Sequence, residues 1–286
     1  MKRFMLFMTG CLSFFMYLLT GCEHRPLIDP EYLQNRRFVR IYLDEEIRNV
    51  SFGFYNEAFP KPEYHTPEVM RVVLCDEATG HVKYEAYLKD KGTDERGNYL
   101  QGYITAAPGN YRMLTYNFDT ESVHLYNEYV YDQMYAYTNK ISDELYKHLS
   151  SVKKSTKEAD WKIVYEPDHF FVENGGMLQV ENWTDTLHVQ GGRHFTATTC
   201  VKSYYLQVEV KGAQKVNSAV ALLSGMAGSV KLAGRQMRVE DPVAVHFGLH
   251  NGTDKDDSKK VVAYATFNTF GKLEEQENYL NITFEF

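Results

Sequence analysis

The sequence predicts an all-β protein, two β-sandwich halves with one short helix near their junction. Short apolar or alternating runs recur about every 12 to 18 residues with turn residues between them, as in a sandwich. The aromatic load is high, with 22 Tyr and 17 Phe in 286 residues, and aromatic side chains favour half-buried strands. One helical stripe, Ile141, Leu145, Leu149 and Val152, interrupts the series. A polar, lysine-bearing stretch from Lys153 to Asp160 follows it and reads as a linker.

The N-terminus is a targeting segment. Lys2 and Arg3 precede an apolar run from Phe4 to Leu19, broken only by Thr9, Gly10 and Ser13. About 16 apolar residues are too few for a confident membrane span but fit the h-region of a secretory signal. The run ends in Leu19-Thr20-Gly21-Cys22, which has the form of a lipobox. Small residues before the cut fit a peptidase, and a thiol is required to take the lipid. Residues 1–21 are therefore expected to be removed between Gly21 and Cys22, with lipid on Cys22. Cys11 also follows a glycine, but too few apolar residues precede it. More than one acyl chain makes such an anchor stable without a spanning helix. Glu23, in place of an aspartate, points to the outer membrane, and the cell surface is the expected face. Residues 22–35 contain Pro26 and Pro30, lack periodicity and read as a tether.

The strands follow in two sets, an N-terminal unit over 36–155 and a C-terminal unit over 156–286. Arg37 to Leu43 and Asn49 to Tyr55 are the first candidates, followed by a loop with Pro60, Pro62 and Pro67. Val69 to Cys75 reads as one apolar buried strand, and His81 to Leu88 alternates. Asp90 to Asn98 reads as a loop. Tyr99 to Ala106 and Tyr111 to Phe118 are strands flanking the Pro108-Gly109-Asn110 turn. In the second half the strands are Trp161 to Tyr165, His169 to Val172, Thr184 to Val189 and a long Thr196 to Val210. Asn174-Gly175-Gly176 is expected as a turn. Val216 to Leu223, Val243 to Leu249, Val261 to Phe270 and Tyr279 to Phe286 complete the set, with Leu280, Ile282, Phe284 and Phe286 on one face.

Charge and composition narrow the function. Without Lys2 and Arg3 the chain has 29 basic and 38 acidic residues, a net charge of −9. That balance, with no dense basic cluster, argues against a nucleic-acid partner. Catalytic constellations are not apparent. Ser224 lacks glycine at positions 222 and 226, so it is not a nucleophile elbow. His188 and His194 flank Gly191-Gly192 without a third ligand. Asp254, Asp256 and Asp257 lack the glycine and late glutamate of a calcium loop. Glu45 and Glu46 are adjacent, with nothing to place them across a cleft. No phosphate-binding glycine loop is present. The expectation is a non-enzymatic protein with no metal and no cofactor. Cys75 and Cys200 leave two readings open, a pair of buried thiols or one disulfide.

Several segments resemble a known family. Cys22-Glu23-His24-Arg25-Pro26-Leu27, Val39 to Asp44 and Asn49 to Asn56 resemble the start of fimbrillin-like lipoproteins of the Bacteroidales. Pro108-Gly109-Asn110-Tyr111-Arg112-Met113-Leu114-Thr115-Tyr116-Asn117 is similar to a strand of that superfamily's N-terminal domain. Ala221-Leu222-Leu223-Ser224-Gly225-Met226 with Gly228-Ser229-Val230 resembles a stretch in its fimbrial anchor and accessory subgroup. The resemblance covers most of the mature chain and is nearest to uncharacterised gut lipoproteins. It implies two tandem transthyretin-like (Greek-key) sandwiches and a role in anchoring, capping or forming a pilus or adhesive structure. It also implies partners among similar subunits, joined by β-strand addition. In that family stalk subunits lose the first strand by cleavage after a basic residue, which makes Arg48 and Lys61 the candidate cut sites here. Asp185-Thr186-Leu187 is similar to the phylum's O-glycosylation acceptor, with Thr186 as the modified residue. A second reading is a glycan-binding surface lipoprotein of a nutrient-uptake system. Trp161, Trp183 and the Tyr126 to Tyr137 cluster, with Trp183 and Tyr131 foremost, would then stack on sugars; core packing is the alternative for all of them.

Overall fold

The structure, a computed structural model, describes residues 36–44, 66–150, 161–180, 193–211, 216–253 and 260–285. The chain opens with β1 (Arg36–Asp44), β2 (Met70–Asp76), β3 (Val82–Leu88), β4 (Asp90–Asp94), β5 (Gly97–Thr105) and β6 (Gly109–Asn117). Next come β7 (Val123–Tyr126), a 3-10 turn at Tyr131–Gln133, β8 (Tyr135–Thr138) and the helix α1 (Asp143–Ser150). The second half holds β9 (Lys162–Tyr165), β10 (Phe171–Val180), β11 (Arg193–Thr199), β12 (Lys202–Lys211) and β13 (Ser218–Ala227). It ends with β14 (Ser229–Lys231), β15 (Gln236–Met237), β16 (Pro242–Thr253), β17 (Lys260–Thr269) and β18 (Leu280–Glu285). The all-β expectation holds.

Eight strands form one sheet in the order β3-β2-β6-β10-β11-β1-β5-β4. The sheet curls until β3 and β5 approach: a Cβ on Gly102 would stand 3.0 Å from Leu88 Cδ2. Its concave side is filled by alternate residues, among them Ile41, Val72, Leu74, Leu100, Met113 and Phe171. The intervening residues Val73, Cys75, Leu114, Tyr116 and Val172 form a second core on the opposite face. A four-stranded sheet, β15-β14-β8-β7, covers them with Val123, Ala136 and Val230. That small sheet takes two strands from each half of the chain and so ties them together.

The remaining strands form a sheet in the order β12-β17-β16-β13-β18, with β9 parallel to β16. The β12–β17 ribbon packs Tyr204, Leu206, Ala263 and Phe267 against Ala219, Ala221 and Phe247. Phe247 and Phe267 stack with ring centroids 3.7 Å apart. Of the helical stripe, Leu145 and Leu149 fall in α1 and join Ile141, which precedes it, on Ile163, Leu222 and Ala244, while Val152 lies outside the described residues.

Several local expectations need correction. Asp90 to Asn98 is a hairpin, with β4 paired along β5, because Arg96 N donates to Asp94 Oδ1 at 2.9 Å and tightens the turn. Asn174-Gly175-Gly176 is a bulge inside β10, where the register to β6 shifts between Glu173 and Gly176. The long strand from Thr196 to Val210 breaks at Cys200-Val201, so that β11 and β12 enter different sheets. The candidate strands at 49–55 and 184–189 lie outside the described residues, as does the expected unit boundary at 155/156. Strands from both sides of that boundary share the eight-stranded sheet, since β10 pairs β6 and β11 pairs β1.

The Ser224-Gly225 pair is a second bulge, between Leu223 and Met226 of β13. Gly225 has φ +74°, and a Cβ there would stand 2.5 Å from the Glu277 carbonyl oxygen. Around it Asn278 Nδ2 donates to the Ser224 and Gly225 carbonyls at 2.9 and 3.2 Å, and Tyr279 N donates to Ser224 Oγ at 3.1 Å. The bulge thus clamps the segment that leads into β18. Gly225→Ala is expected to cost about 2 kcal/mol from the backbone strain and the clash. A urea midpoint equal to wild type would contradict this account.

Candidate functional site

The first strand is the element on which an assembly role would turn. In β1 the residues Val39, Ile41 and Leu43 enter the concave core, and Ile41 is wholly buried. The strand runs parallel to β11, from Val39 opposite Arg193 to Asp44 opposite Thr198. On its other side it is antiparallel to β5, from Arg36 opposite Thr105 to Tyr42 opposite Tyr99. It is therefore an interior strand, hydrogen-bonded on both edges, and its removal would leave the facing backbone groups of both neighbours without partners.

Its outward residues grip β5. The Arg40 guanidinium lies 4.0 Å over the Tyr99 ring and donates to Gln101 Oε1 from Nε at 3.0 Å and from Nη2 at 2.7 Å. It also pairs with Asp94 at 3.1 Å, and the Tyr42 hydroxyl donates to the same carboxylate at 2.8 Å. The Arg96 N–H, then the Tyr42 hydroxyl, hold Asp94 below the ordinary carboxylate pKa. Phe38 meets Tyr103 edge-on at 5.4 Å, and Arg36 lies 3.9 Å over the Tyr103 ring. Side-chain register and backbone pairing thus specify one position for this strand.

The other sequence-predicted residues fall as follows. Gly21, Cys22, Arg48, Lys61, Trp183 and Thr186 lie outside the described residues. Tyr131, expected as a sugar-stacking ring, is only 7% exposed. Its hydroxyl donates to Asn174 Oδ1 and Arg112 sits 5.5 Å from its ring, so it is a core residue and has no face to offer. The exposed tyrosines of the cluster are Tyr126 and Tyr129. Cys75 and Cys200 are free thiols against the same apolar cluster, which removes the disulfide reading. Burial pushes their pKa values to about 11 and about 12. His194 sits 5.7 Å from Tyr42 at the end of β1, beside a pocket of 340 Å³. Among the described residues no group of three His, Cys, Asp or Glu side chains is placed to hold a metal, and no helix is long and apolar enough to cross a membrane.

Sequence reading missed Arg71. It lies in β2, only 5% exposed, with Nη1 donating to the Tyr116 hydroxyl at 2.8 Å. Its Nε and Nη2 donate to Glu85 at 3.1 and 2.6 Å, and it pairs with Glu128. The signal was an arginine inside the otherwise apolar run from Val69 to Cys75, which burial makes intolerable without partners.

Among the described residues, two carboxyls have pKa values raised mainly by burial: Glu166, which accepts from Asn268 N at 3.0 Å, and Glu173. Each holds its proton more tightly folded than unfolded. Their contribution to stability is full below the ordinary value of 4.5 and is lost as pH rises through the folded value. In Glu166→Gln the loss of stability between pH 4.5 and 7 should be smaller than in wild type. Urea midpoints at the two pH values measure it, and an unchanged difference would reject the assignment.

Comparison with known proteins places the chain. A Bacteroides ovatus protein named "Putative fimbrium anchoring subunit Fim4B" is 24% identical over 241 residues, which span 84% of this chain. They span only 60% of that relative's length. The resemblance to fimbrial anchor and accessory proteins seen in the sequence is thereby borne out. A crystal structure of a "putative adhesin" from B. ovatus ATCC 8483 superposes with a TM-score of 0.53 at 23% identity, covering 90% of this chain and 73% of that one. A second "putative adhesin" from B. ovatus gives a TM-score of 0.50 at 9% identity, covering 87% and 72%. These two show a shared fold. A family model described as a domain of unknown function, DUF5119, matches residues 59–248, and the chain belongs to that family.

Proposed function

We propose that this chain is a lipid-anchored, non-enzymatic protein of the cell envelope that anchors, caps or forms part of a surface pilus. The observation that carries the reading is β1, an interior strand that an assembly of this type would either keep or exchange. The name of the 24%-identical relative supports it. In this reading two transthyretin-like sandwiches stand on the 22–35 tether, with lipid on Cys22 in the outer membrane and the fold at the cell surface. A retained β1 keeps lipid and fold joined, which makes the protein an anchor. Cleavage after Arg48 or Lys61 would instead detach the lipid and leave a slot between β11 and β5 for a strand from a neighbouring subunit. Thr186 is the proposed O-glycosylation site.

Mass spectrometry of the mature N-terminus, with membrane fractionation and pilus purification, tests this. The expected result is an acylated Cys22 at the N-terminus and co-purification with filaments. A protein that never accompanies a filament, and whose deletion leaves pili unchanged, would overturn the proposal.

A further inference from the structure

The outer face of the four-stranded sheet carries a groove that the assembly reading does not use. Strand alternation sends Leu125, Ala136, Val230 and Met237 toward the core. Their neighbours face outward: Tyr126 opposite Tyr135, Tyr135 opposite Lys231, and His124 opposite Tyr137. The Tyr126 and Tyr135 rings stack with centroids 4.8 Å apart and planes 26° apart. The Arg238 guanidinium lies 4.6 Å from the Tyr135 ring, and Tyr126 is 52% exposed. Hollows of 310 and 450 Å³ open on either side, and both are lined by Tyr126, Tyr135 and Arg238. Each volume is within the range of about 300 to 1,000 Å³ usual for a small-ligand cleft.

The charges on the walls identify the ligand class. Lys162 pairs with Asp241 at 3.0 Å, Arg238 with Glu240 at 3.5 Å and Lys231 with Asp132 at 3.8 Å. The remaining wall cation, Lys140, lies 4.9 Å over the Tyr146 ring. Each of these wall carboxylates therefore has a cation, and three of the four wall cations have a carboxylate, so an ionic ligand meets little uncompensated charge there. A polyhydroxylated neutral ligand needs none. An exposed ion pair presents donors beside acceptors, which suits adjacent sugar hydroxyls, while an exposed aromatic face takes the C–H face of a pyranose ring.

We propose that this groove binds a neutral oligosaccharide, its chain crossing the Tyr126–Tyr135 stack with a sugar in each hollow. The site is independent of the pilus reading, because it uses no part of β1. Calorimetric titration of the purified mature chain with cello-, malto-, xylo- and mannohexaose, beside sialyllactose and a heparin hexasaccharide, tests it. At least one neutral hexasaccharide should bind with a Kd below about 1 mM, and Tyr126→Ala should weaken it about tenfold. Tyr126→Phe should retain most of the binding, and Phe118→Ala, at an exposed ring on another face, should leave it unchanged. Asp241→Asn, which leaves the stack intact, should also weaken it. Failure of all neutral sugars to bind, binding of the anionic ones alone, or affinity unchanged in both Tyr126→Ala and Asp241→Asn would each overturn the proposal. None of these outcomes affects co-purification with filaments.

Discussion

A chain beginning at Glu45 is expected to lose cooperative folding. It lacks β1, and with it Val39, Ile41 and Leu43, which are 3%, 0% and 5% exposed. Burial of each such side chain contributes about 1.5–3 kcal/mol, so the loss is roughly 6 kcal/mol, against a total stability of about 5–15 kcal/mol for a domain. The truncation also uncovers the edges of β5 and β11 along the whole registered length. Open edges of that kind invite aggregation. Adding the peptide Arg36–Asp44 in trans should restore solubility and a cooperative urea transition. If the truncated chain unfolds at the wild-type midpoint, β1 is not the structural element described above. If the peptide fails to rescue a truncated chain that is otherwise monomeric, strand exchange at this slot loses its basis.

Arg71→Met is expected to destabilise the protein by about 3 kcal/mol. Methionine keeps most of the aliphatic bulk but removes a cation that links three neighbours of β2: Glu85 on β3, Tyr116 on β6 and Glu128 before the 3-10 turn. Those carboxylates would then face one another across a site with Phe118 alongside, 5.4 Å from the lost guanidinium carbon. The effect stays at the lower end for a broken buried pair because Glu85 and Glu128 are 47% and 34% exposed and can rehydrate. Neutralising both acids in the Arg71→Met background should recover part of the loss. Urea unfolding measures each variant, and a change below about 0.5 kcal/mol in Arg71→Met would show the network to be a surface ornament.

How much of this was legible beforehand depended on the range of the signal. Alternation located β3 and β6, and the apolar runs located β1 and β2, to within a residue or two, because burial of this kind is written locally, whereas β16 runs four residues past the expected end at Leu249. The helix was legible from Ile141, Leu145 and Leu149 for the same reason. What failed was long-range. Thr196 to Val210 is apolar enough for one strand, yet Thr199 Oγ1 bonds with Val201 N and O at 3.1 Å and turns the chain between sheets. The return of β10 and β11 to the first sheet depends on the slot beside β1 and β6, which no local pattern records. Tyr131 and Tyr126 are the same residue type five positions apart, and only the tertiary fold decides that one is buried and the other faces the groove.

The placement of β1 has a mechanical consequence if the chain is tethered through its N-terminus. Tension on the tether would pull β1 along its own axis, so the ladders from Val39 to Asp44 on β11 and from Arg36 to Tyr42 on β5 would be loaded together in shear. A strand peeled from a hairpin end breaks one pair at a time. A strand sheared between two neighbours must release all its pairs at once, with the Arg40 clasp on Gln101 and Asp94. An attachment under tension gains from that geometry, because the first element to feel the force is a strand held along both edges.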